Sequence, residues 1–267
     1  MNWQRIGILA QFDLGHAILR LKGLVFLIPV LFFWYWILKL LLDNGSQWLV
    51  SKESFMITAY LFNPGIAQIL LISHPPSLSV FFIVALATMP FFVMLAANDQ
   101  LASDAGRQTF RYLLIRCTRA EIFLGRFISS YFLIAIVVIF TGILATLISL
   151  HNDNHAVQET LEYALQVIAL VLLYTLPFVA YMAVISAFMS SALSALLTGV
   201  IVYVVLIILG AYLNHYLPVK ISLVPSGVKD YLYAIKPDDL SYALTGLLAY
   251  ICIYTCLGWL IFRRRNI

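Results

Sequence analysis

Apolar residues run in long blocks along this chain, and polar residues gather in short clusters between them. A helix that crosses a bilayer needs about 20 predominantly apolar residues. Six blocks meet that length and predict spans over residues 24–42, 80–97, 127–150, 164–189, 194–213 and 243–262. The fourth and fifth are separated only by Ser190, Ser191, Ala192 and Leu193, which predicts a tight antiparallel pair. Pro177 falls inside the fourth and should kink it. Ahead of the first block, Trp3, Ile6, Leu9, Phe12, His16 and Leu19 recur at helical spacing, with Arg5, Gln11 and Arg20 elsewhere on the wheel. Residues 2–22 therefore predict an amphipathic helix lying in the membrane interface. The first block is long enough to span, and no small-residue cleavage site follows it, so it reads as an anchor and not as a removed leader.

Composition makes lipid the solvent. Charged residues are 10% of the chain, against about 25% in soluble domains. Hydrophobic residues are 63%. The fold class is thus an all-α integral membrane protein, and residues 1–267 read as one transmembrane domain. Three cysteines give no disulfide framework; Cys252 and Cys256 lie one turn apart in an apolar run and read as packing residues.

Charge then orients the spans. The ten arginines fall in three stretches, 5–20, 107–126 and 263–265. Lys and Arg near span ends mark the cytoplasmic side. With the N-terminus inside, the inner segments hold eleven positive residues against four acids, and the rest of the chain holds five lysines and eight acids. Six spans return the C-terminus to the same side, so both termini are expected in the cytoplasm of a bacterial inner membrane. The net charge of +4 follows this bias and not a basic face, so no nucleic-acid partner is expected.

Two outer segments are long. Residues 43–79 carry Asn63-Pro64-Gly65 and His74-Pro75-Pro76, with a short apolar stretch between that suggests an outer interfacial helix. Residues 214–242 carry four breakers, Pro218, Pro225, Gly227 and Pro237. Tyr212, Tyr216, Tyr231, Tyr233 and Tyr242 fit an interfacial aromatic belt there.

Catalytic motifs are missing. No lysine follows a glycine, which excludes the Walker A phosphate cradle, and neither a Gly-x-Ser-x-Gly elbow nor a His-Glu-x-x-His pair occurs. His151, Asp153 and His155 have helical metal spacing but read as a solvated loop. No cofactor or metal is expected in this chain. Lys39 and Asp99 sit only at span ends, and the spans otherwise offer hydroxyls and small residues: Thr141, Thr146, Ser186, Ser190, Ser191, Ser194 and Thr198. Ion-coupled carriers usually need intramembrane carboxylates or histidines, so a self-powered transporter is disfavoured. The small-residue spacing over 190–199 suits close helix packing. Tyr174, Tyr181 and Tyr203 are candidates to line an apolar pathway, although tyrosines that pack helices are commoner.

The segment 98–126 carries the most information. Phe110, Leu113, Leu114 and Cys117 recur at i, i+3, i+4, i+7 and make one apolar face, with Arg107 and Arg111 on another. Thr118-Arg119-Ala120-Glu121 has the form of a capping box, so a new helix should start there and run into the third span. Two short helical pieces, linked at Arg116-Cys117-Thr118, are expected.

The run Asp104-Ala105-Gly106-Arg107-Gln108-Thr109 through Leu113-Leu114, followed by Arg119-Ala120-Glu121-Ile122 and Leu124-Gly125-Arg126-Phe127, resembles the first cytoplasmic loop of ABC type-2 permeases. Asp104 stands where a Glu is common, and Gly106 and Thr109 are one residue further apart than usual. The resemblance implies a permease subunit of an ATP-binding-cassette exporter and not an enzyme. It implies that this loop docks a separate cytosolic ATPase dimer, which carries the ATP and Mg²⁺. It also implies pairing with a second permease, a copy or a paralogue. The residues it assigns to the ATPase contact are Asp104, Gly106, Arg107, Thr109, Arg111 and Arg116. Two other readings share the topology: a membrane anchor or assembly factor with no ATPase, and an intramembrane enzyme, disfavoured because the spans lack a nucleophile–base pair.

Overall fold

The computed structural model describes residues 3–19, 21–45, 70, 73–106, 110–153, 155–216, 222–234 and 237–265. Its regular elements are all helices, and no strand occurs among the described residues. In chain order they are α1 (Trp3–Leu19), α2 (Leu21–Leu40), α3 (Pro76–Ala97), α4 (Ala102–Gly106), α5 (Phe110–Leu113), α6 (Arg119–Asn152), α7 (Val157–Phe188), α8 (Ala192–Tyr216), α9 (Lys229–Ala234) and α10 (Pro237–Arg264). A π turn (Leu41–Gly45) extends α2, and a 3₁₀ turn (Pro225–Val228) precedes α9. Among the described residues, five helical stretches are long and apolar enough to cross a membrane: Pro76–Asp104, Arg119–Asn152, Val157–Phe188, Ala192–Tyr216 and Asp238–Arg264.

Local sequence signals set several boundaries. Thr118 caps α6 as expected: its side chain accepts from the Glu121 N–H, and the Glu121 carboxylate accepts from the Thr118 N–H at 2.9 Å. Together they satisfy two of the donors that a helix start leaves open. α7 runs on through Pro177. It is the central helix, packed against α3, α6, α8 and α10. Tyr174, Phe178, Val179 and Met182 of α7 are fully buried together with Phe81, Phe82 and Val93 of α3.

Polar groups inside the spans mostly bond back to their own helix. The hydroxyls of Thr88, Thr141, Thr146 and Thr175 donate to the carbonyls of Val84, Val137, Gly142 and Leu172 at 2.7–2.8 Å. In lipid no water can satisfy these groups, so this internal bonding is what makes them tolerable. Tyr181 differs, because its hydroxyl crosses from α7 to the Gly199 carbonyl of α8 at 2.7 Å.

Three expectations need correction. Asp153 is not in a solvated loop. It follows α6 directly and accepts from the Ser77 N–H (3.1 Å), the Ser77 hydroxyl (3.0 Å) and the Ser149 hydroxyl (2.8 Å), so it caps the start of α3. Asp153→Ala leaves the buried Ser77 N–H without its acceptor, and a lost cap of this kind costs about 2 kcal/mol. Thermal unfolding of the detergent-solubilised variant should show that loss, with Asp153→Asn retaining part of it.

Tyr233 does not belong to an interfacial belt. It is buried in the bundle, edge-on to Phe82 at 5.9 Å, and Val224, Pro225, Val228 and Leu232 are buried with it. Tyr254 of α10 fixes this segment by donating to the Leu223 carbonyl at 3.1 Å. Tyr212, Tyr216 and Tyr242 remain exposed.

The apolar stripe of α1 is not a single face. Ile6 and Ala10 are buried, and α1 packs along α6. The approach is close at Gly125, where an added Cβ would lie 3.1 Å from the Leu9 Cβ. Trp3, Ile8 and Phe12 stay exposed on α1. The side chains of His16 and Leu19 lie outside the described residues, as does most of the short outer helix expected between Pro64 and His74, of which Leu70 is described and buried.

Candidate functional site

The candidate site is the arginine-rich end of the bundle, where α3, α6, α7 and α10 end or begin. After α3 the chain turns through residues 98–101, and the Asp99 carboxylate accepts from the Ser103 N–H at 3.0 Å to start α4. Gln100 is buried and donates to the Val179 carbonyl of α7 at 3.2 Å. α4 ends at Gly106, which lies against the Ser190 carbonyl in the link between α7 and α8. Any Cβ here would collide with that backbone oxygen. Gly106→Ala should therefore push α4 off the α7–α8 link at a cost of about 1–3 kcal/mol. Thermal unfolding of the detergent-solubilised variant should show that loss.

An ion cluster ties three elements together beneath the loop. Arg126 of α6 pairs with Asp13 of α1 at 2.7 Å and also with Asp104 of α4. All three side chains are largely removed from solvent, at 22%, 10% and 18% exposure. A planar guanidinium can serve two carboxylates at once, which a lysine does less well.

Beyond Gly106 the chain passes through residues 107–109, which lie outside the described residues, and enters α5. Phe110 is fully buried and packs edge-on against Phe262 of α10 at 5.3 Å, with Phe123 of α6 stacked on Phe262 at 6.2 Å. Leu113, Leu114 and Cys117 pack against the same cluster, as their spacing with Phe110 led us to expect. The helical turn continues after α5 through bonds from the Leu114 N–H to the Phe110 carbonyl and from the Cys117 N–H to the Leu113 carbonyl. Tyr112 and Ile115 point the other way and are 77% and 79% exposed. Arg116 is exposed beside them, and its carbonyl accepts from the Arg5 guanidinium of α1 at 2.9 Å.

Two arginines read only as orientation signals bind helix ends instead. Arg119 donates to the carbonyls of Phe262, Arg263 and Arg265 at 3.3, 2.7 and 2.9 Å. Arg265 donates to the carbonyls of Ala187 and Met189 at 2.6 and 3.0 Å. A cation at a helix C-terminus satisfies orphan carbonyls and suits the helix dipole. Burial at that carbonyl pair pushes the Arg265 pKa below its ordinary value.

The six residues assigned to a partner contact therefore have different fates. Asp104 is engaged by Arg126, Gly106 abuts Ser190, and Arg116 stands exposed at the tip. Arg107 and Thr109 lie outside the described residues, and of Arg111 only the backbone, within α5, is described. Sequence reasoning passed over Tyr112 and Ile115. Their i, i+3 spacing, opposite the Phe110–Leu113–Leu114 stripe, was the available signal.

The three pathway candidates are brought together. Tyr181 and Tyr203 contact edge-on at 6.2 Å, and Phe178 joins Tyr203 (6.1 Å) to Tyr174 (5.1 Å). Tyr181 also meets Tyr254 at 5.6 Å, so one aromatic ladder links α7, α8 and α10. Tyr174 is fully buried, and its hydroxyl has no hydrogen-bond partner among the described residues.

No curated protein matches the chain. Residues 46–267 match the model of one family, which takes in α3 to α10 and leaves out α1 and α2. The chain belongs to that family, described as "Protein of unknown function (DUF2705)".

Proposed function

We propose that this chain is the membrane-spanning permease subunit of an ATP-binding-cassette exporter. In this reading α2 is a sixth span, and both termini face the cytoplasm of a bacterial inner membrane. α1 lies along the inner interface with Trp3, Ile8 and Phe12 toward lipid. ATP and Mg²⁺ belong to a separate cytosolic ATPase dimer, and a second permease, a copy or a paralogue, completes the assembly.

The observation that carries the reading is the pair Tyr112 and Ile115, held out beside Arg116 at the tip of the loop. Large apolar side chains exposed together at a polar end mark a surface that something covers. Tyr and Arg are also the residue types that dominate protein-interface energetics. Beneath the tip, the contacts favour transmission of a displacement. Phe110 bears on α10 through Phe262, Gly106 on the α7–α8 link, Asp104 on α6 through Arg126, and the Arg116 carbonyl on α1 through Arg5. Closure of the ATPase dimer would push this unit as a body and bias α7 against α8 along the aromatic ladder.

The test is co-purification with a soluble Walker A ATPase encoded beside this chain, with hydrolysis measured in nanodiscs. The exporter reading expects a stable complex whose hydrolysis rate depends on this subunit. A chain that inserts normally, binds no such ATPase and leaves its hydrolysis unchanged would sink the reading in favour of an anchor or assembly factor.

A further inference from the structure

At the other end of the bundle, α2 packs against both α3 and α6. The contact with α3 is set by Trp34 against Phe81 at 5.0 Å and Phe33 against Phe92 at 5.3 Å. The end of α2 is tied back to α6, because the Asn152 side chain donates to the carbonyls of Leu41 and Leu42 at 3.0 and 3.2 Å. Between the two helices a groove of about 710 Å³ remains. That is within the size of small-molecule sites, roughly 300–1,000 Å³.

The groove has an apolar body, to which Trp34, Leu38 and Leu144 contribute, and a polar end formed by Lys39, Asp43 and His151. Lys39 and Asp43 are one helical turn apart and both exposed. Among the described residues no ion pair joins them, and the Lys39 ammonium lies 5.6 Å from the centre of the Trp36 ring. Deeper in the wall, Trp34 is 1% exposed, and its indole N–H has no acceptor among the described residues. At 1.5 Å per residue this donor's backbone is about 7.5 Å further down α2 than Lys39.

We propose that this groove holds one zwitterionic aminophospholipid from the bilayer. Lys39 meets the phosphate, Asp43 meets the ammonium, an acyl chain fills the apolar body, and a glycerol ester carbonyl accepts from the Trp34 N–H. The opposite charges one turn apart favour a headgroup that carries both signs over one that carries a single negative charge. The walls on two helices distinguish the site from the outer surface of α8, where Leu197, Ile201 and Ile208 are exposed on a single helix. The proposal is independent of any ATPase.

Native mass spectrometry of the whole chain from mild detergent, titrated with phosphatidylethanolamine or phosphatidylglycerol, tests it. One phosphatidylethanolamine should be retained per chain. Leu144→Trp, which fills the groove, and Lys39→Ala and Asp43→Asn, which alter exposed side chains only, should each weaken retention by at least about tenfold. Leu165→Trp, on the exposed face of α7, should leave it unchanged. Circular dichroism confirms the fold of each variant, and the two charge variants carry the test if Leu144→Trp misfolds. Three results would overturn the proposal: equal retention of phosphatidylglycerol, retention insensitive to the groove and charge variants, or a second protein copy as the species that Leu144→Trp displaces.

Discussion

Replacing Arg126 with alanine is expected to remove about 3–5 kcal/mol from the stability of this protein, the typical cost of breaking a buried ion pair on one side. The reason is asymmetry. The substitution removes one cation and leaves two poorly solvated carboxylates, Asp13 and Asp104, facing each other's position. α1 and α4 both lose their electrostatic anchor to α6, and α1 keeps the packing of Ile6, Leu9 and Ala10 and the Arg5 bond to the Arg116 carbonyl. Thermal unfolding in detergent should drop sharply, and limited proteolysis should cut the N-terminal helix first. Arg126→Lys should fall between, because an ammonium lacks the planar fork that addresses both acids. An alanine variant that melts with the wild type and keeps α1 protected would show that the cluster contributes nothing to the fold.

Tyr112→Asp combined with Ile115→Asp is expected to leave insertion and stability intact and to abolish assembly with the proposed ATPase. Both side chains already face solvent, so the folded subunit loses no internal contact. In a complex the same positions would bury two carboxylates where two apolar anchors belonged. Truncation of one interface anchor commonly costs 2 kcal/mol or more, so the double change should weaken binding by about a thousandfold, near 4 kcal/mol. The measurement is a pull-down with quantified ATPase, alongside protein yield in the membrane. Full retention of the ATPase would move the docking surface elsewhere. Lost yield would show that the tip supports the fold instead.

What the sequence made legible was whatever depends on neighbours within a turn or two. The apolar blocks, the Thr118–Glu121 capping box and the Phe110–Leu113–Leu114–Cys117 face are all of this kind, since their partners lie a few residues away. The misreadings were long-range. Asp13 entered only as one of four acids in the charge count, because its partner Arg126 is far off in the chain. Asp153 looked like part of a polar loop because Ser77, which it caps, is 76 residues earlier. Tyr233 resembles its exposed neighbours in composition, and only packing against Phe82 distinguishes it. Arg119 and Arg265 illustrate a further difficulty. A topology signal and a helix-end ligand call for the same residue at the same place, so charge counting sees only the first.

The inward-bonded threonines bear on motion. A hydroxyl bonded to its own helix carries that bond wherever the helix goes, so nothing breaks when neighbours slide. The clamps that do cross between elements, Asp153 to Ser77 at one end and Arg119, Arg126 and Arg265 at the other, sit at the rims. The bundle is therefore pinned at both rims and greased through its middle. Sliding α6 along α7 would cost the reseating of apolar side chains, sliding α3 along α7 would also break the Ser79–Tyr163 and Gln100–Val179 bonds, and the Tyr181–Gly199 crossbar acts as a latch between α7 and α8.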